Sequence, residues 1–248
     1  MGARTGLLAH SDGAVPPLLR QAVGAAPDRG RTDALVRRLY RGWTVEPGDG
    51  PCALFEAVYP PEGQAYAGSW PGVDLVCDRR FMLDRPSRLP SELVATGPGR
   101  RTVLHAMHSV VDRLAFAVWE DGRLVRSLSV SPDGGVVEDI GDRLPFELPY
   151  WAGGHPVEPW PEDEDGRLYP LPFHPLELGE EALHALLGFN VEGHPSDADG
   201  IEVLPYLVGE PGAAQRAAAA AAAAARPRRS QYYLMGPDGR PVLLGEPS

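Results

Sequence analysis

Apolar and polar positions alternate most clearly between Arg101 and Gly141, where two turn signals divide the chain into strands. Leu114 to Trp119 is apolar throughout, as a strand covered on both faces would be. Asp121-Gly122 follows and predicts a tight hairpin, because a primed turn needs positive φ and glycine supplies it without strain. On the return strand, alternation places Leu124, Arg126, Leu128 and Val130 on one face and Val125, Ser127 and Ser129 on the other. Arg126 is the misfit there; its stem is expected to pack while its head snorkels or pairs with an acid. Ser131-Pro132-Asp133-Gly134-Gly135 is a second turn before Val136 to Ile140. With Arg101 to Val111 as a further strand, bent near Ser109 or Val111, the stretch reads as a four-stranded antiparallel meander over 101–140.

Outside the meander the pattern is shorter in range. Thr5 to His10 reads as a buried strand and Pro16 to Val23 as a helix, with Ser11 or Asp12 between them as its cap. The competing reading of Asp12 is a carboxylate at a strand end facing a cleft. Thr32 to Tyr40 is a helix with Leu35, Val36, Leu39 and Tyr40 on one stripe, and Arg37 and Arg38 near its C-terminus suit the dipole. Gln64 to Ser69 and Val73 to Cys77 flank a Trp70-Pro71-Gly72 turn, while Ser87 to Thr96 reads as a short helix stopped by Gly97-Pro98-Gly99. Prolines crowd Leu144 to Pro175, which predicts an extended ribbon pinned by Phe146, Tyr150, Trp151, Tyr169 and Phe173, with the acids Glu158 and Glu162 to Asp165 at a solvated tip. Glu180 to Gly188 is a helix burying Leu183, Leu186 and Leu187 and exposing His184; Ile201 to Val208 is a last strand of the body.

The expected fold class is therefore α+β: a single domain over 1–208 with a mostly antiparallel mixed sheet, a few short helices and the proline-rich ribbon. Residues 209–248 read as an extension, with nine consecutive alanines (Ala217–Ala225) followed by a small hairpin around Pro237-Asp238-Gly239.

Composition narrows the function classes. The chain has 248 residues, 43% hydrophobic and 23% charged, and a net charge of −11, which argues against nucleic acid or anionic membrane as the main partner. All 23 basic residues are arginine, a bias that fits a GC-rich genome. Cys52 and Cys77 form no CxxC, and Cys77 ends an apolar run as a buried thiol would. Neither a signal-peptide pattern nor a run of ~20 apolar residues is present, so a cytoplasmic, soluble protein is expected.

Candidate chemistry is sparse. His105-x-x-His108-x-x-x-Asp112 would suit a metal on a helix, but on a strand residues three apart point to opposite sides. No GxSxG elbow, Walker A sequence or dinucleotide fingerprint occurs. His10, His155, His174 and His194 form no spacing motif. No cofactor and no metal are expected. The first expectation is a non-enzymatic protein that binds a partner protein or a small molecule. The alternative is a hydrolase-like or metal-dependent enzyme, and it requires Asp12, His105, His108 and Asp112 to converge within ~10 Å.

Four segments carry a resemblance: MGARTGLLAHSDG, VYPPEGQAYAGSWPGVDLVCD, LHAMHSVVDRLAFAVWEDGRLVRSLS and the LPFELPYWAGGHPVEP/YPLPFHPLELGEEAL pair. Together they resemble an uncharacterised family of small soluble actinobacterial proteins, a domain of unknown function, over about residues 1–208. The resemblance implies host type and domain extent and carries no catalytic residue. The hairpin through Trp119-Glu120-Asp121-Gly122 is also similar to hairpins of bacterial immunity-type α+β interaction proteins.

Overall fold

The computed structural model describes residues 3–95, 97–157, 169–192, 200–212, 232–235 and 241–244. Contacts divide the chain into two units, Met1–Gly209 and Glu210–Ser248.

The first unit is built on one open 10-stranded sheet. Its strands are β1 (Arg4–Asp12), β2 (Thr44–Pro47), β3 (Cys52–Ala53), β4 (Gln64–Trp70), β5 (Val73–Cys77), β6 (Arg100–His108), β7 (Arg113–Glu120), β8 (Arg123–Ser131), β9 (Gly135–Ile140) and β10 (Glu202–Gly209). Their order is β2-β10-β4-β5-β1-β6-β7-β8-β9, with β3 also paired to β10. The meander β6 to β9 is present as the alternation predicts. The sheet is not mixed, however: every described pairing is antiparallel.

Both faces are covered. Helices α1 (Val15–Ala22), α3 (Leu54–Ala57), α4 (Leu148–Trp151) and α5 (Pro175–Leu187) lie over one face, where Leu7, Leu75, Met107, Phe116 and Leu128 join the larger apolar cluster. Helix α2 (Arg29–Leu39) and three short 3-10 turns at 79–93 lie over the other, where Leu8, Val76, Leu104, Trp119 and Tyr206 form a smaller one. Helix α5 starts with Pro175 at its first position, His174 Nδ1 accepts from Leu176 N, and Gly188 ends it in the left-handed region at φ 89°. Gly179 lets this helix approach β6 and β7: a Cβ there would lie 3.1 Å from Met107 Sδ. No helix among the described residues is long and apolar enough to cross a membrane.

Several local expectations are corrected. Neither Ser11 nor Asp12 caps α1; its N-cap is Ala14, without a side-chain bond, and prolines in the first turn remove N–H groups that would need a partner. Helix α2 begins earlier than expected, capped by Asp28, whose Oδ1 accepts from Arg31 N at 3.0 Å. The helix expected over Ser87 to Thr96 is replaced by 3-10 turns at Pro86–Arg88 and Ser91–Leu93. Pro90 disfavours helical geometry before it, and Ser87 gives both its N–H and its hydroxyl to Glu138. The ribbon is not extended at its start, since Pro145–Glu147 and α4 are helical; its anchors Tyr150 and Phe173 are buried, and Phe146, Trp151 and Tyr169 pack against the larger cluster.

The shared face assigned to β8 also fails at one residue. Val118 opposes Arg126 but Trp119 opposes Leu124, so Val125 is a bulge. Leu124 consequently packs with the α2-side cluster, while Leu128 and Val130 stay on the α5 side. The Asp121-Gly122 turn has φ of 51° and 80°, the primed geometry expected.

In the second unit β11 (Tyr232–Met235) pairs with β12 (Pro241–Leu244), the hairpin expected there. The acidic run at 158 and 162–165, the polar loop at 196–199 and the alanine run at 217–225 lie outside the described residues.

Candidate functional site

The four residues that the sequence singles out do not come together. Strands β1 and β6 pair so that Arg4 opposes His108, Leu7 opposes His105 and Asp12 opposes Arg100. At ~3.4 Å per residue, Asp12 is therefore ~17 Å along the strands from the level of His105 and ~27 Å from that of His108. His105 and His108 also point to opposite faces. His105 is fully buried under α5; Met107 N donates to Thr5 Oγ1, the Thr5 hydroxyl donates to His105 Nδ1 (3.0 Å), and His105 Nε2–H donates to the Gly179 carbonyl (2.9 Å). Both ring nitrogens are used, and burial pushes the pKa down to about 4, so the ring is neutral. His108 stands edge-on to Tyr59, and burial and Arg4 lower its pKa. Asp112 sits in the β6–β7 turn at φ 41°, with His174 3.7 Å away. Among the described residues no group of three or more His, Cys, Asp or Glu could hold a metal ion.

Three buried charged groups look chemically active in isolation but are saturated by their neighbours. Arg126 is fully buried: Nε and Nη2 donate to Glu147 at 2.8 and 2.6 Å, and Nη1 donates to Asp139 and to the Ile140 carbonyl. This clamp ties the turn before α4 to the sheet and answers the Arg126 misfit, with pairing rather than snorkelling. Asp78 accepts from Tyr40 Oη and from Arg80 N, Nε and Nη2. Glu138 accepts from Ser87 and Ser127; burial alone would raise its pKa, but those hydrogen bonds hold it below the usual value.

Among the described residues, buried polar atoms without a hydrogen-bond partner occur on both faces, at Trp151, Tyr169 and Glu180 on the α5 side and at Ser69 in a row of polar residues on the α2 side of the sheet. Registers place Ser69 (β4), Asp74 (β5), His10 (β1) and Thr102 (β6) in one row across four adjacent strands. Strand alternation turns the row toward α2 and the loop at 91–95, which its contacts confirm. Ser69 N donates to Thr32 Oγ1, Arg31 lies 3.6 Å from Asp74, His10 Nε2–H donates to the Leu93 carbonyl (2.7 Å), and Thr102 Oγ1 accepts from Ala95 N. Because Nε2 carries the proton, His10 Nδ1 is left as an acceptor. Burial lowers the His10 pKa, and Arg38 and Arg100 add to that against the Leu93 carbonyl and Asp74. Ser69 Oγ is buried without a hydrogen-bond partner.

Above this row is an open cleft of about 240 Å³ lined by Arg31, Ala34, Leu35, Arg38 and Asp74. Two arginines against one aspartate leave it a local excess of positive charge on a chain of net charge −11. Arg38 has no ion pair among the described residues. Of the four sequence candidates only Asp12 is nearby, two residues beyond His10 on the same strand face, where it pairs with Arg100.

Sequence reasoning passed over His10, Asp74, Arg31 and Arg38. Arg31 and Arg38 are seven apart, hence on one helix flank, and that much was available. Their meeting with His10 and Asp74 depends on β5 and β6 flanking β1, which no local pattern encodes.

A model of a family of unknown function (DUF6928) matches residues 5–208. No curated protein and no solved structure matches the chain.

Proposed function

The chain belongs to that family of unknown function, and from its own cleft we propose that it is a non-enzymatic binding protein for a small anionic molecule. The ligand class is a compound carrying a carboxylate or phosphate, held by Arg31 and Arg38. The observation that carries the reading is the arginine-lined cleft beside α2, positive on an otherwise acidic chain. At about 240 Å³ it falls below the ~300–1,000 Å³ of drug-sized sites, so the ligand is small. Asp74, the acid in the cleft lining, sets orientation.

Binding rather than turnover is supported by the row beneath. Its one hydroxyl nucleophile without a partner, Ser69, is cross-strand to Asp74 and separated from His10 by the intervening strand. The reading takes residues 1–208 as the working domain and 209–248 as an appendage, in a cytoplasmic protein. Acidity disfavours nucleic acid and anionic lipid as partners.

Calorimetric titration with inorganic phosphate, acetate, succinate and adenosine monophosphate tests it. At least one anion is expected to bind with a sub-millimolar Kd, and Arg31→Ala with Arg38→Ala is expected to weaken it at least tenfold. No heat from any of the four, or binding indifferent to both substitutions, overturns the reading.

A further inference from the structure

Helix α2 has a second flank, and its chemistry differs. At 100° per residue Arg29 and Asp33 lie nearly opposite Arg31 and Arg38 around the helix, with Thr32 and Val36 between the flanks on the buried side. A separate pocket of about 150 Å³ opens on the Arg29 flank, lined by Arg29, Asp33, Gly48, Gly50, Leu204 and Tyr206.

Two observations show that its charges are held apart. Opposite charges at i and i+4 on a helix are within reach of each other, yet Arg29 and Asp33 make no ion pair. Asp33 is instead held by buried Tyr206, whose hydroxyl donates to Asp33 Oδ1 at 2.7 Å. Burial and Asp33 raise the Tyr206 pKa, so the phenol remains a donor and occupies one carboxylate oxygen. The other oxygen, Oδ2, makes no hydrogen bond among the described residues. Across the pocket, Gly48 N donates to the Pro205 carbonyl at 2.8 Å. A Cβ on Gly48 would lie 3.1 Å from the Pro205 ring, a tight contact that glycine avoids where this loop closes down on β10. Leu204 completes an apolar wall.

We propose that this pocket binds a small zwitterion, a free amino acid or a close equivalent. Its carboxylate pairs with Arg29, its ammonium group with Asp33 Oδ2, and a short apolar side chain meets Leu204. The volume admits only small members of the class. The site is independent of the anion cleft on the opposite flank.

Calorimetric titration of the full chain with glycine, L-alanine, L-serine and β-alanine tests the assignment, with single-charge controls of methylammonium and, in protein carrying Arg31→Ala and Arg38→Ala so that the anion cleft is disabled, acetate. At least one zwitterion is expected to bind at least tenfold more tightly than either control. Arg29→Gln and Asp33→Asn are each expected to weaken it at least tenfold, and Asp33→Asn keeps the acceptor that Tyr206 needs. Arg38→Ala is expected to leave it unchanged. Equal binding of a control, binding indifferent to Arg29→Gln and Asp33→Asn, or loss in Arg38→Ala would overturn the proposal. The Arg38→Ala arm also separates this site from the anion cleft.

Discussion

The two faces of the sheet are closed by different means. On the α5 face a large apolar cluster does most of the sealing, and among the described residues a pocket between α1 and α5 measures about 10 Å³. Of the polar groups buried there His105 and Arg126 are each fully partnered, whereas Trp151 Nε1, Tyr169 Oη and Glu180 Oε1 have no hydrogen-bond partner among the described residues. On the α2 face the apolar cluster is smaller, and short turns are held by Asp78 and Glu138 where α5 has no counterpart. Carboxylate clamps fix a loop at one point, whereas a packed helix fills a surface. The α2 face accordingly keeps clefts of about 150 and 240 Å³ along the flanks of its helix. The two clefts beside α2 follow from this incomplete apolar filling.

The largest expected effect tests the α5 face at its edge. Glu147→Ala leaves the Arg126 charge buried without its bidentate partner, a class of change that costs about 3–5 kcal/mol. Urea unfolding should show that loss. Replacing both partners, as Arg126→Met with Glu147→Leu, should recover most of it, since an apolar pair of similar volume is often neutral. If the double variant is as unstable as the single one, the clamp specifies the packing of this edge and the apolar account of the face is incomplete.

His105 tests the centre of the same face. Its folded-state pKa of about 4 lies below the ordinary 6.5, so the unfolded chain takes up the proton first. The stability it contributes is fully present above about pH 6.5 and is lost as pH falls toward 4. The difference corresponds to roughly 3 kcal/mol at 1.36 kcal/mol per unit. His10 is shifted in the same direction, so wild type must be compared with His105→Gln. The variant should lose most of the slope between pH 6.5 and 4. A slope unchanged by the substitution would place the acid sensitivity elsewhere.

How much of this contrast was readable in advance depends on distance along the chain. The Asp121-Gly122 hairpin was legible because two adjacent residues carry its whole geometry. The meander followed from it, as did the opposite facing of His105 and His108. The bulge at Val125 was not legible, because Leu124 and Leu128 are both apolar and fit unbroken alternation as well as the broken one. The turns at 86–93 were misread as a helix because Ser87 is held by Glu138, far along the chain. For the same reason the clefts were invisible: β10 inserts between β2 and β4, and β1 between β5 and β6.

Smaller effects belong to the α2 face. Ser87→Ala removes one charge-assisted hydrogen bond to Glu138 but leaves Ser127 and the Ser87 backbone in place. The expected loss is about 1–2 kcal/mol, visible as a shift in the urea midpoint without a change in slope. A loss as large as that of Glu147→Ala would show that this clamp organises its whole face.

The smallest effect is the most informative about function. Arg38 lies exposed on α2 with no ion pair among the described residues, so Arg38→Ala should change stability by no more than about 0.5 kcal/mol. Alanine also keeps the helix propensity of the site. A residue retained for stability would show a cost here; one retained for a ligand would show it only when the ligand is present. Thermal unfolding with and without a bound anion separates the two. The expected result is equal midpoints without anion, and a ligand-induced rise in wild type that is reduced in the variant, because stabilisation grows with [L]/Kd. Unequal midpoints in the absence of anion would make Arg38 part of the scaffold, and the α2 face would then be sealed by charge along its flank as well as beneath it.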